Sequence, residues 1–192
     1  MSDHNDPVRL RPVRENDLPL FDRFLTDPDA LGEFQWQGWR DPNTFRRRWA
    51  ENGMLGEDGG QLMVVSGGEA CDEESLGCVA WRKVVIFRTS YCWNIGIQLL
   101  PEARGRGAGT RAQRLLVQYL FAHSPVIRVE ATTESGNIAE RRSLERAGFS
   151  QEGVSRSVVF RDGQWRDGVR YAVLRGDVGW RGGEEPQAGA GL

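Results

Sequence analysis

Apolar and polar residues alternate over positions 8–13, Val-Arg-Leu-Arg-Pro-Val, the two-residue period of a half-buried strand. The spacing then widens to three and four at Leu18, Phe21, Phe24 and Leu25, which predicts a helix capped by Asn16 or Asp17 and ended by Asp27-Pro28-Asp29. Leu31, Phe34, Trp36 and Trp39 follow neither period and are interrupted by Gly32 and Gly38, so this aromatic segment reads as a loop. Asp41-Pro42 opens a second helix, with proline in its first turn, that runs through Phe45 and Trp49. Glu57-Asp58-Gly59-Gly60 is a predicted turn, and an acidic loop is expected over 67–74. Strands are expected over 61–66, 75–85 and 91–100.

A long amphipathic stretch, 110–121, places Ala112, Leu115, Leu116, Tyr119 and Leu120 on one face, and Ser124-Pro125 ends it. A buried strand over 126–132 leads through the turn Glu134-Ser-Gly136-Asn137 into a helix over 138–147, with Gly148 as its C-terminal cap. Two last strands, 154–160 and 165–174, flank Asp162-Gly163, a hairpin signal. There is no internal repeat. The order predicts an α+β fold, a mixed α/β sandwich built on one sheet. One domain is expected over 8–176, between a flexible N-terminus at 1–7 and a Gly-, Glu- and Pro-rich disordered tail at 177–192.

Composition narrows the functional classes. The chain has 192 residues and a formal net charge of −2, so there is no overall electrostatic footprint for nucleic acid. Cys71, Cys78 and Cys92 are odd in number and form no C-x-x-C pair. No disulfide framework or metal site is expected, and a reducing cytoplasm fits best. Of two histidines, His4 lies in the N-terminal segment and His123 at the end of the long helix, where its charge suits the helix dipole. No apolar run is long enough to span a membrane, and the polar, acidic start is unlike a secretory signal. Arginine outnumbers lysine, as in GC-rich bacterial genomes.

The candidate chemistry centres on residues 101–110, Pro-Glu-Ala-Arg-Gly-Arg-Gly-Ala-Gly-Thr, between an apolar strand and the long helix. Gly105, Gly107 and Gly109 strip side chains from the backbone, so a ligand can approach the amide N–H groups. The helix behind adds free N–H groups and the positive end of its dipole. Arg104 and Arg106 add charge at the rim. This is a site for phosphate or pyrophosphate. A Walker A motif is absent. A Rossmann fingerprint would follow the first strand, whereas this loop comes after several.

Arg104-x-x-Gly107-x-Gly109 resembles the R/Q-x-x-G-x-G/A signature of the GNAT acetyltransferases. The segment from Asn137 through Ala139, Arg142 and Glu145 to Gly148-Phe149 is similar to the N-x-A-S-x-R-x-L-E-K-x-G-F block of the RimJ/RimL-type branch, the ribosomal-protein-alanine N-acetyltransferase-like members. Residues 160–167 resemble that branch's closing hairpin, and 8–13 its first strand. The similarity runs over about 8–176.

The resemblance implies a GNAT fold: one mostly antiparallel sheet with splayed central strands and helices on both faces. It implies acetyl transfer from acetyl-CoA to an amine, either a protein N-terminus or a small molecule, by direct attack in a ternary complex. A homodimer is compatible with it. The implied coenzyme site comprises Ile97, Gln98, Leu99, Leu100, Arg104, Gly105, Arg106, Gly107, Ala108, Gly109, Thr110, Asn137 and Arg142. A backbone N–H at Ile97, Gln98 or Leu99 would face the thioester carbonyl. Phe34, Trp36, Trp39 and Asn94 are implied around the acceptor. The chain departs from the family at three positions. Asn94 stands where relatives often carry Glu, Leu144 where many carry Tyr, and Glu140 where the branch has Ser. The carboxylate candidates for proton transfer are Glu33, Glu130 and Glu140. The departures also motivate a contrasting expectation, a non-catalytic acyl-CoA-binding module.

Overall fold

The computed structural model describes residues 8–67 and 73–177. The expectations for 1–7, His4, Cys71, most of the acidic loop and the tail beyond Asp177 lie outside the described residues. In chain order the elements are β1 (Arg9–Pro12), a 3-10 turn (Glu15–Asp17), α1 (Leu18–Thr26), α2 (Pro28–Leu31), α3 (Thr44–Asn52), β2 (Leu55–Gly56) and β3 (Gly59–Ser66). Then come β4 (Glu74–Phe87), β5 (Ser90–Leu99), a second 3-10 turn (Pro101–Ala103), α4 (Ala108–His123), β6 (Arg128–Glu134), α5 (Ile138–Ala147), β7 (Ser150–Arg161) and β8 (Gln164–Leu174).

The strands form one sheet in the order β1-β3-β4-β5-β6-β8-β7, with β2 paired to β3. Every pairing is antiparallel except β5–β6, which are joined through α4, the crossover that a parallel pair requires. The parallel register is short, running only from Trp93↔Val129 to Ile95↔Ala131. Beyond it β5 stays with β4 as far as Leu99↔Gly77, and β6 stays with β8 as far as Glu134↔Gly168. Past Ile95 and Ala131 the two central strands share no register. The sheet opens there into a V, as the splayed-strand expectation required.

Helices cover both faces. On one, Ala112, Leu116, Val117, Leu120 and Leu144 of α4 and α5 pack on Val79, Trp93, Ile95, Val129 and Tyr171. On the other, Leu18, Phe21, Phe24, Ala30 and Leu31 pack on Met63, Val65 and Cys78. All four apolar residues predicted for the first helix are buried.

Several local expectations are corrected. Asp17 precedes α1, but its carboxylate is spent on Arg11 (2.6 and 3.0 Å) and the Arg14 N–H (2.7 Å) rather than on capping. The segment after Asp27 is not wholly loop: Asp27 accepts from the Asp29 N–H and starts the single turn α2, with Pro28 at its first position. Pro42 lies before α3, whose N-cap is Asn43. Gly59 and Gly60 belong to β3, because Gly59 has a φ of +154° and both pack too closely on Trp81 to admit a side chain. On α4, Tyr119 is 37% exposed and Leu115 only half-buried; the inward positions instead include Gln113 and Val117. The β6 strand begins two residues later than expected. The Asp162-Gly163 turn is as predicted, both residues having positive φ.

Candidate active site

The V between β5 and β6 is continuous with a cleft of about 530 Å³ lined from four directions. The loop after α2 supplies Gly32, Glu33, Phe34 and Gln35, and β5 supplies Ile97 and Leu99. The glycine loop and α4 supply Arg104, Gly105, Gly107, Gly109 and Thr110, and α5 supplies Asn137, Glu140, Arg142, Ser143 and Arg146.

The glycine loop is a cradle. Gly105 and Gly107 have φ of +74° and +78°, and a Cβ on either would meet nothing within 4 Å, so open space lies above the backbone. Gly107 is the N-cap of the 16-residue α4, and the first helical N–H with an intrahelical partner is that of Arg111, donating to Gly107 at 3.2 Å. The N–H groups before it face the cleft end of the helix dipole, which is the arrangement an anionic phosphate needs. Ala108 is buried in the core and is not among the residues that line the cleft.

Two charges expected at the rim behave differently. Arg104 is pinned: Nε donates to the Leu99 carbonyl at 3.0 Å, and Nη2 donates to the Ala30 carbonyl at the end of α2. Arg106 is exposed and lies outside the cleft. Arg142 lines the cleft as expected, joined by Arg146.

The opened part of β5 presents alternate backbone groups to the V. Leu100 N–H bonds back to Leu76 in β4, so even positions face β4 and odd positions face the gap. Both gap-facing carbonyls are occupied, Ile97 by the Gln35 amide at 2.7 Å and Leu99 by Arg104. The N–H groups of Ile97 and Leu99 face the gap where β6 offers no register. Gln98 points its side chain away, accepting from the Cys78 thiol at 3.6 Å, and Leu100 packs on the α1–α2 core.

Glu140 sits in the first turn of α5. Asn137 caps that helix by accepting from the Glu140 N–H at 3.2 Å, so it both lines the cleft and fixes the backbone beneath Glu140. Burial pushes the Glu140 carboxyl up to about 7, overcoming the opposing hydrogen bond from Gln113 Nε2 at 2.5 Å. A carboxyl that titrates near neutrality in a cleft is suited to proton transfer. Gln113 is 1% exposed, and its Oε1 accepts from Ser143 Oγ at 3.1 Å. Ser143 Oγ in turn lies 3.2 Å from Thr110 Oγ1.

The other carboxylate candidates separate. Glu33 lines the cleft mouth beside Phe34, whose ring stacks under the Arg161 guanidinium at 5.4 Å. Arg161 is held by Glu134 through two bonds of 3.0 and 3.1 Å, both side chains being buried. Glu130 lies outside the cleft, paired with Arg128 at 2.6 Å. Asn94 faces Glu130 across the β5–β6 register and accepts from Arg82 at 3.4 Å, also outside the cleft. Trp36 packs half-buried on the α1–α2 core, and Trp39, 80% exposed, meets it edge-on at 6.0 Å; neither lines the cleft. His123 stacks with Tyr119 at 4.8 Å, away from the cleft. Burial pushes the Cys78 thiol up to about 12, and burial with Glu130 pushes Cys92 up to about 11, so neither is a thiolate at neutral pH.

Sequence reasoning missed Gln35, Gln113 and Ser143. For Gln113 a signal existed: an amide among Ala112, Leu116 and Leu120 on an apolar face needs a buried partner. For Gln35 there was none, because an aperiodic loop does not reveal which side chain turns inward.

The model of the acetyltransferase (GNAT) domain matches residues 8–150. The probable N-acetyltransferase YjcK of Bacillus subtilis is 34% identical over 110 residues, 56% of this chain and 59% of that protein. The [ribosomal protein uS5]-alanine N-acetyltransferase of Escherichia coli is 26% identical over 106 residues, 55% of this chain and 54% of that protein. The matches thus span little more than half the length of these curated relatives. The solved structure of spermidine N-acetyltransferase from Vibrio cholerae in complex with CoA and spermine superposes with a TM-score of 0.75 at 16% identity, covering 88% of this chain and 96% of that one. With a family match over three quarters of its length and this fold, the chain belongs to the GNAT acetyltransferase family.

Proposed function

We propose that the protein transfers an acetyl group from acetyl-CoA to a primary amine, by direct attack with both substrates bound. The observation that carries this reading is the continuity of one cleft from the open glycine cradle at Gly105 and Gly107 to the unpaired edge of β5. The cradle and the α4 N-terminus would hold the pyrophosphate, with Arg142 and Arg146 adding charge beside it. The gap-facing N–H groups of Ile97 and Leu99 are placed to bond an extended amide-containing arm or a thioester carbonyl. A preorganised donor to a developing oxyanion is worth about 3 kcal/mol of barrier. Bound acetyl-CoA supplies the activated acyl group, and everything else is positioning and proton transfer.

Glu140 holds the proton that the departing sulfur needs, since its carboxyl is still partly protonated at neutral pH. It takes this role where the RimJ/RimL branch has Ser, and Leu144, buried in the core, leaves the usual Tyr role empty. Glu33 is the carboxylate at the mouth, where an incoming amine would arrive. An α-amine, with a pKa of about 7.7–8.0, is already partly neutral at pH 7.5, whereas a lysine-type amine near 10.4 is not. With Glu130 locked to Arg128, an N-terminal α-amine asks least of this site. The relatives that act on a ribosomal-protein alanine and on spermidine support an amine acceptor of either kind. A cytoplasmic, bacterial setting agrees with the free buried Cys78 and Cys92 and with the bacterial relatives.

The test is a thiol-release assay with acetyl-CoA over peptides beginning with Ala or Ser and over small amines. Release with any acceptor is expected, and fastest with the peptides. Acetyl-CoA binding without release on any acceptor would assign the chain to the non-catalytic acyl-CoA-binding alternative.

A further inference from the structure

The side chains of Thr110, Ser143, Gln113 and Glu140 form one unbroken hydrogen-bond chain between α4 and α5. One end, Thr110, lies in the phosphate cradle; the other, Glu140, is the proton-carrying carboxyl. Gln113 in the middle is buried and meets both neighbours. Each hydroxyl has one proton, which fixes the direction of the chain. Gln113 Nε2 donates to Glu140, so its Oε1 must accept from Ser143. Ser143, having given its proton to Gln113, must accept from Thr110. All three donors therefore point toward an ionised Glu140.

The same atoms support a second arrangement. If Glu140 is protonated, its O–H donates to Gln113 Oε1 after the amide turns over. Gln113 Nε2 then donates to Ser143, and Ser143 donates to Thr110. That frees the Thr110 proton to point into the cradle. Both directions satisfy every member of a network whose centre, Gln113, is buried and whose other members are half-buried. A phosphate oxygen in the cradle can only accept, so it selects the second direction.

Resting on the acetyl-CoA reading above, we infer that this chain is a reversible proton-coupled relay. Coenzyme binding at Thr110 turns the hydrogen bonds around and completes the loading of Glu140 with a proton from bulk water, so the site is fully charged with its acid when the coenzyme is present. Coupling of this kind is reciprocal: a protonated Glu140 also tightens coenzyme binding.

Other charged groups border the same cleft and must be accounted for. Glu33 comes from the loop after α2, Arg104 from the glycine loop, and Arg142 and Arg146 from Glu140's own helix. Glu134, at the end of β6, is neutralised by Arg161. A direct repulsion between the phosphates and Glu140 would also favour proton uptake, but it does not pass through Ser143. That difference separates the two causes.

The experiment is calorimetric titration of the full chain with CoA, in two buffers of different ionisation enthalpy, which reads protons taken up per CoA bound. With Glu140 at about 7 in the free protein, uptake of about half a proton is expected at pH 7 and more at pH 8. In Glu140→Gln the uptake at pH 8, where the coenzyme phosphates no longer titrate, falls to zero. In Ser143→Ala, a mild change that leaves Thr110 and Glu140 in place, CoA still binds but the uptake is lost. Wild-type binding without uptake, or uptake undiminished in Ser143→Ala, overturns the relay while leaving the coenzyme site intact. Failure of the wild type to bind CoA overturns both.

Discussion

The side-chain amide of Gln35 donates to the main-chain carbonyl of Ile97 at 2.7 Å, joining positions 62 apart in sequence and tying the aromatic loop to the opened edge of β5. This bond anchors to β5 the segment that carries Glu33 and Phe34. Replacing Gln35 with Leu leaves a carbonyl unpaired and frees the loop. A stability loss of about 1 kcal/mol is expected. The larger effect is expected in the KM for the amine acceptor, rising several-fold with little change in kcat. A melting curve and steady-state kinetics on the variant check both.

Glu140 carries two pH signatures of opposite origin. Its folded value, about 7, lies above the 4.5 of the free side chain, so the folded protein holds more protons than the unfolded one between those values. Stability contributed by this group is therefore present below pH 4.5 and is lost as pH rises to about 7. Glu140→Gln should raise the melting temperature relative to wild type at pH 8 and should not at pH 4.

The catalytic signature follows from the acid role. At saturating substrates the wild-type kcat should fall on the alkaline side with an apparent pKa at or above 7. Glu140→Gln should lower kcat by about 10²-fold and remove that limb. An unchanged pH profile in the variant would assign the limb to another group.

Arg161 and Glu134 form a buried, doubly bonded pair, with the Arg161 guanidinium over the Phe34 ring. Removing Arg161 leaves the buried Glu134 carboxylate with only the longer 3.6 Å contact to Arg166. Arg161→Met should cost about 3–5 kcal/mol in chemical denaturation, far more than loss of an exposed pair such as Arg47–Asp41. The double replacement of Arg161 and Glu134 by apolar residues should recover much of the loss.

How far the site could be read from the sequence depended on how local its determinants were. The cradle was legible because glycine spacing, the following helix and its dipole lie within ten residues. Asn137 was legible as a cap for the same reason, and the structure shows it capping while lining the cleft. The splay of β5 from β6 is a non-local property: nothing in residues 90–99 says that pairing with 128–134 stops after three positions. Arg104 looked like a mobile rim charge because its partners, the Leu99 and Ala30 carbonyls, are backbone groups that no side-chain pattern reveals. Of the three aromatics in that segment Phe34 lines the cleft as expected, whereas Trp36 and Trp39 do not and Gln35, between Phe34 and Trp36, does.

The central claim is that the Gly105–Gly107 cradle holds the coenzyme pyrophosphate, and calorimetric titration of wild type, Gly107→Asn and Gly107→Asp with acetyl-CoA tests it most directly. Gly107 has φ +78° with open space around it, a conformation Asn and Asp tolerate better than other side chains, so both variants should fold. The wild type should bind, Gly107→Asn should bind more weakly and Gly107→Asp should not bind, with near-native melting temperatures throughout. Equal acetyl-CoA affinity in wild type and Gly107→Asp would contradict the claim.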